Sequence, residues 1–368
     1  MHINPDYCKT IIGITGNPTE AEEFNEYRMR EEKKVSVLIP CRNEVQFIES
    51  CIHHIFSFYP PDRGFEVIVI DGMSTDGTRE ILSRLKSQFS ELDVIDNPSK
   101  TVPCAMNLGI QYAKGEYIVR ADVRCIHPKG YLLDLIELSE KTGADIVGGV
   151  LVPIPGKTYI QKAITLAYRS PIAMGNALRD RGDFIGETGT VYGGCFRRER
   201  LLEIGMYDEG MVRNQDDELS FRLRKMGGKI IQDGKIKVQY YPRSKYWQLF
   251  KQFMQYGYWK VAVIIKHPQQ ASLRHFVPSM LVFGFAVLIL AVPFHRYAFN
   301  ILLIYGSIYF LPISFESLRV SHRNSILLWP GVFIAIFLIH MGFGIGFITN
   351  LLCRLAKLKP GFFETLSR

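Results

Sequence analysis

From residue 35 onward, short unbroken apolar runs alternate with longer stretches in which apolar residues recur every three or four positions. The runs are VSVLIP (35–40), FEVIVIDG (65–72), LDVIDN (92–97), GEYIVRAD (115–122) and ADIVGG (144–149). Strands that are apolar throughout are buried on both faces. The stretches between them, 44–57, 76–89, 103–113 and 129–142, have helical spacing. Alternation of this kind predicts an α/β domain with a mostly parallel, Rossmann-like sheet. The alternation weakens after residue 150, and residues 151–240 mix loops and helices that supply the second half of any site. Residues 1–34 are polar and charged and read as an appendage, with a helix expected over residues 20–34.

A second pattern takes over near the C-terminus. Residues 276–293, 297–315 and 325–352 carry no charge apart from whatever His340 holds. Each stretch is about long enough to cross a bilayer, which needs roughly 20 apolar residues. Their Gly and Pro content is tolerable in a membrane. The expectation is about three transmembrane helices over 276–352, followed by a basic tail, 353–368. The segment 246–275 begins with YWQLFKQFMQYGYWK, aromatic and basic at helical spacing. It reads as an interfacial helix with its aromatics at headgroup level. Its role is either anchoring alone or contact with a polar group at the membrane surface.

Charge supports the membrane reading. The net charge is +8, and Lys251, Lys260, Lys266 and Arg274 gather before the first apolar stretch. Basic flanks favour the cytoplasmic side and anionic headgroups. No nucleic-acid-binding motif accompanies the charge, so nucleic acid is not expected as a partner. Three crossings would put Arg354, Lys357, Lys359 and Arg368 on the side opposite the N-terminal domain, against the positive-inside tendency. A re-entrant or interfacial placement of one of the three stretches is the alternative. The seven cysteines form no Cys-x-x-Cys pair, which fits a reducing compartment without structural zinc. With no secretory leader pattern in 1–34, the N-terminal domain is expected on the cytoplasmic face of the plasma membrane.

In open α/β sheets, ligands bind beyond the carboxyl ends of the strands. Three predicted strands finish there in polar clusters: CRNE (41–44), DGMSTDGT (71–78) and ADVR (121–124). Asp71 ends a buried strand and can accept a donor from a base or ribose. Asp76 is placed to cap the following helix. Neither a P-loop nor a dinucleotide fingerprint is present. In NQDDEL (214–219) two acids are adjacent, so on a helix they point about 100° apart and only one faces a substrate. Glu218 is placed to pair with Arg222 one turn on.

VSVLIPCRNE, VIVIDGMSTDGT, NPSKTVPCAMNLGI, GEYIVRAD and residues 193–230 resemble the family 2 glycosyltransferases of GT-A fold. With QYGYWK and KHPQQASLRHFVP, the chain is similar to the succinoglycan-type, membrane-anchored subgroup. The resemblance implies an inverting transfer from a nucleotide-diphospho-sugar, UDP-linked, to a polyprenyl-phosphate or other lipid-linked acceptor. It also implies Mg2+ or Mn2+ as cofactor. It places Pro40, Arg42, Glu44, Asp71, Lys100, Asn107 and Ala121 at the nucleotide. It makes Asp122 the opening of the metal motif and Asp216 the catalytic base, with Asp217 as fallback. Gly194, Gln252, Gln255, Trp259 and Lys260 fall to the acceptor and diphosphate. The subgroup commonly carries His where this chain has Arg124. An arginine cannot ligate a metal, but it can grip a phosphate. That departure keeps a second expectation open: a non-catalytic, nucleotide-binding partner in a polysaccharide-assembly complex.

Overall fold

The computed structural model describes residues 35–58, 64–175, 182 and 184–357. The helix expected over 20–34 lies outside them. The sheet begins as the pattern predicts, with β1 (Val35–Cys41), β2 (Phe65–Asp71), β3 (Leu92–Asp96) and β4 (Tyr117–Arg120). Helices α1 (Ile48–Phe58), α2 (Thr78–Gln88) and α3 (Val102–Tyr112) connect them. These four strands are parallel, in the order β3-β2-β1-β4. Both faces are covered. Val35, Val37 and Ile39 pack into one core with residues of α1 and α2, while Leu38, Ile68 and Ile70 pack with α3 on the other.

The second half is less regular. The short β5 (Cys125–Ile126) precedes α4 (Tyr131–Thr142) and β6 (Ile146–Pro153). Then come α5 (Tyr159–Tyr168), the single turn α6 (Pro171–Met174), β7 (Ile185–Glu187), β8 (Gly194–Arg197) and α7 (Arg198–Glu203). Helix α8 (Gln215–Lys225) and β9 (Ile230–Tyr240) complete the domain. Strand β8 inserts antiparallel between β4 and β6, so the fifth predicted strand does not neighbour the fourth. Gly194 carries this insertion: at φ +88°, a Cβ there would stand 2.4 Å from the Val147 carbonyl oxygen. Any other residue would push β8 off the sheet.

Helix α9 (Tyr246–Lys266) leads to α10 (Leu273–Ala291), α11 (Ala298–His322) and α12 (Trp329–Leu355). Three helices, Leu273–Ala291, Ala298–His322 and Ile326–Leu355, are long and apolar enough to cross a membrane. The expectation for α9 needs correction. Its Tyr258 and Trp259 are buried inside the protein, and only Trp247, 67 % exposed, faces outward at its start. Tyr258 and Trp259 pack with Met211, and α12 packs at close range on the part of α9 that holds Leu249 and Phe253. Cβ atoms at Gly257, Gly342 and Gly346 would stand 2.0, 2.7 and 1.9 Å from the carbonyl oxygens of Phe343, Phe250 and Met254. Small residues at such crossings let helix backbones touch.

Gly346→Ala therefore forces the two helices apart and should cost on the order of 2 kcal/mol or more. At Gly306 on α11 a built Cβ would make only ordinary contact, its nearest neighbour Phe310 at 3.6 Å. In detergent, thermal melts should show G346A several degrees less stable and G306A unchanged or slightly more stable. Equal melting temperatures would contradict the close-packing account.

Candidate active site

The polar strand ends converge as expected. Beyond β1, Asn43 and Glu44 are stitched to the loop after β2. The Asn43 N–H donates to Ser74 Oγ (2.8 Å), Glu44 N–H to Thr78 Oγ1 (2.9 Å) and Thr75 N–H to Asn43 Oδ1 (2.9 Å). Asp76 accepts from the N–H of Thr78 at the start of α2 and from Val45 N–H. Asp71 is wholly buried. It accepts from Ser74 N–H (3.0 Å) and Ser74 Oγ (2.5 Å), and from Arg79 Nη1 (3.1 Å). Two buried atoms beside it have no hydrogen-bond partner among the described residues: Arg42 Nε and Asn97 Oδ1. Leaving such an atom unpaired costs about 1–3 kcal/mol, and here they stand at the ends of β1 and β3, on either side of β2.

At the end of β4 the structure adds a residue that sequence reasoning missed. Arg120 is almost fully buried. Its Nε donates to Asp122 Oδ1 (3.0 Å), Nη2 to Asp122 Oδ2 (3.3 Å) and Nη1 to Asp216 Oδ1 (2.8 Å). Tyr192, from the Gly-rich stretch before β8, donates its hydroxyl to Asp122 Oδ2. The signal was available: a charged residue closes an otherwise apolar strand, two positions before Asp122.

One guanidinium thus holds two carboxylates, and their proton affinities diverge. Burial pushes the Asp122 carboxyl up, but Arg120 and the Tyr192 hydroxyl more than offset it and hold it below the usual carboxylate range. At Asp216 burial dominates. Arg120 opposes it, but the nearby Asp122 and Asp217 charges push the same way as burial, so the carboxyl is raised. Paired carboxylates driven apart in this way separate naturally into a permanent anion and a proton acceptor. Asp217, next to it at the start of α8, accepts from Lys260 Nζ (3.0 Å) on α9.

Other predicted residues are placed differently. Asn107 binds the 207–209 loop, donating to the Tyr207 carbonyl (2.9 Å) and Glu209 Oε1 (3.0 Å) and accepting from Tyr207 N–H. Gln252 donates to the Tyr256 hydroxyl (2.9 Å). Gln255, Trp259 and Lys260 are buried. Arg124 donates from Nε to both oxygens of Glu44 (3.0 and 2.9 Å) and lies over the Phe47 ring. Lys100 takes a left-handed backbone (φ 61°) and is exposed. Pro40 and Ala121 end β1 and follow β4, where Ala121 N–H donates to the Leu38 carbonyl (3.0 Å). Glu218, expected to pair with Arg222, is wholly buried and also accepts from Lys266 Nζ (2.9 Å) and lies 2.9 Å from His267 Nε2. Among the described residues, no group of three or more His, Cys, Asp or Glu is gathered for a metal.

Against known families, this arrangement has clear relatives. The profile described as glycosyl transferase family 2 matches residues 36–205. The succinoglycan biosynthesis protein ExoA of Rhizobium meliloti (strain 1021) is 32% identical over 244 residues, 66% of this chain and 73% of that protein. The chain belongs to glycosyl transferase family 2. A second relative by sequence, from Methanococcus voltae, is a dolichyl N-acetyl-alpha-D-glucosaminyl phosphate 3-beta-D-2,3-diacetamido-2,3-dideoxy-beta-D-glucuronosyltransferase. It is 25% identical over 328 residues, 86% of this chain and 97% of that enzyme. The mannosyltransferase PcManGT from Pyrobaculum calidifontis shares the GT-A fold, with TM-score 0.57 at 16% identity over 91% of this chain and 94% of its own. This family 2 chain is a glycosyltransferase with three C-terminal helices apolar enough to span a membrane.

The Glu218 cluster gives a prediction about stability. Burial pushes Glu218 up, but hydrogen bonds from Arg222, His267 and Lys266 prevail and bring it from 4.5 down to about 2. A depressed acid contributes stability that is complete above about pH 4.5 and is lost as pH falls toward about 2. Glu218→Gln should lower the melting temperature at neutral pH and flatten its fall across that window. An unchanged acid profile in melts run from pH 7 downward would contradict this.

Proposed function

We propose that the enzyme is an inverting glycosyltransferase. It moves a sugar from a nucleotide-diphospho-sugar, UDP-linked, to a hydroxyl of a lipid-linked acceptor at the cytoplasmic face, in polysaccharide or glycolipid synthesis. The observation that carries this reading is the Asp122–Arg120–Asp216 bridge. Inversion needs one carboxylate to take the acceptor proton on the face opposite the leaving group. Asp216, raised and only partly covered, is suited to it. Asp217 is held by Lys260 and is the weaker candidate.

The nucleotide lies over the ends of β1, β2 and β3. There Arg42 Nε and Asn97 Oδ1 offer the open polar atoms, and Asp71 with Pro40 and Glu44 shapes the wall. Ala121 and Lys100 border the same crevice. Arg120 cannot deprotonate, so it faces the departing diphosphate as a fixed cation. Arg124 exchanges Glu44 for a donor phosphate. Asp122 supplies one metal ligand edge: a carboxylate has about four lone-pair sites, and Arg120 and Tyr192 take three. The residues thus fit Mg2+ or Mn2+ held chiefly by phosphate oxygens and water. When bound, such an ion neutralises charge on the leaving diphosphate. PcManGT is described with GDP-mannose and Mn2+, which supports both the donor class and the ion. The lipid-linked acceptor rests on the dolichyl phosphate glycan in the Methanococcus voltae enzyme's name and on the apolar helices. Gly194, Gln252, Gln255, Trp259 and Lys260 then belong to the acceptor side, with Gln252 and Trp259 as supports.

Asp216→Asn should reduce transfer from UDP-sugars to lipid-linked acceptors by about 10²–10⁴-fold and leave nucleotide binding intact. Asp217→Asn should retain most of the rate. Full activity in D216N removes Asp216 as base. Nucleotide binding without transfer from any donor would favour a non-catalytic partner, the reading that Arg124 keeps alive. A chelator should slow transfer without abolishing it, because Arg120 and Arg124 remain charged; complete loss of turnover and binding in EDTA contradicts their phosphate role.

A further inference from the structure

The three apolar helices are not alike. The most apolar windows of α10 and α11 are 11% and 17% buried inside the protein, but that of the segment containing α12 is 50% buried. The difference lies in what α12 rests on. Helix α9 is tied to the catalytic domain along its length. It follows β9 directly, Lys260 bonds Asp217, and Lys266 at its end bonds Asp208 and Glu218. Helix α12 runs beside it. The Tyr246 hydroxyl donates to the Gly331 carbonyl (3.0 Å), and the carbonyls of Phe250 and Met254 face Gly342 and Gly346. Helix α5 meets the same helix at Gly331 through Tyr159 and Ala163. Farther along, His340 Nε2 lies 2.9 Å from the carbonyl of Ile172.

These contacts cover residues 331–346 of α12, about 22 Å of helix axis at 1.5 Å per residue. A helix that leaves a domain to cross a bilayer touches it near one end. This one touches it over most of the roughly 30 Å that a crossing requires. Its outward side chains are Ile334, Ile345, Leu351, Leu352 and Leu355, all exposed and apolar. Helices α10 and α11 instead leave the domain as a hairpin. Their connection at 292–297 is exposed.

We infer that α12 lies in the plane of the membrane beneath the catalytic domain, with its outward face seated in one leaflet, and that only the α10–α11 hairpin crosses. The occupant of that face is the lipid of the near leaflet. Two crossings return the chain to the catalytic side. Arg354, Lys357, Lys359 and Arg368 then lie on the same side as Lys251, Lys260 and Lys266, as the positive-inside tendency favours. Three crossings would separate them. The in-plane helix also keeps α9, and through Lys260 the start of α8, at the membrane surface.

The test is side-specific thiol labelling of the full chain in vesicles of both orientations, with a membrane-impermeant maleimide. The background carries C8S and C353S; the other cysteines are buried. Single reporters are K141C on the catalytic domain, R296C in the α10–α11 connection and S367C in the tail. The account expects K141C and S367C to be modified from one face and R296C from the other. Modification of S367C together with R296C would mean that α12 crosses and would overturn the inference. Modification of all three from one face would overturn it as well, because the hairpin would not span.

Discussion

Arg120 is the constraint on which the site depends. A buried guanidinium is tolerable only when paired on its hydrogen-bonding edges, and removing a partner from such a set typically costs 3–5 kcal/mol. Here the partners are the two acids to which the proposed transfer gives different states. Asp122, held by Arg120 and Tyr192, stays ionised; Asp216, deeper in its competition with burial and neighbouring charge, keeps a higher proton affinity. The strand that ends in Arg120 and the helix that opens at Asp216 belong to different halves of the domain. The bridge therefore fixes the geometry between the two halves as well as the charge.

Helix α8 is held from its other face by Glu218. That buried carboxylate collects Arg222 from α8 itself and Lys266 and His267 from the end of α9. Helix α9 is in turn pressed on α12 where glycines remove the side chains between them. A continuous chain of contacts thus runs from the apolar helices through α9 to the residue that faces Arg120. The α/β domain is built onto its apolar helices and does not hang from them by a linker.

Much of the first half was legible in the sequence because β1 to β4 are short, largely apolar and separated by helices of ordinary spacing. Their polar ends pointed to the crevice. Strand β8 was not legible: it has four residues, opens with a glycine in the left-handed region, and owes its place to tertiary contact with β4 and β6. Arg120 was overlooked because it was read as part of a strand. Asn107 and Gln252 were read for the ligand, but their amides are occupied by the protein's own loop and tyrosines. The aromatic stripe of α9 was read as facing lipid, yet α12 covers much of it. Which apolar surface a second helix will cover depends on contacts between residues about ninety positions apart, and local periodicity carries none of that information.

The account's central claim is that Arg120 and Asp216 act as one unit. The most direct measurement is a double-mutant cycle on kcat/KM with R120Q, D216N and the double variant, nucleotide binding being checked in each. Residues that act partly through one another lose part of their effect once either is gone. Because Arg120 also faces the diphosphate, the double variant should be slower than D216N, but by a smaller factor than R120Q slows the parent enzyme. Losses that multiply, each variant slowing the other by its full factor, would show that Arg120 and Asp216 act independently and would contradict the account.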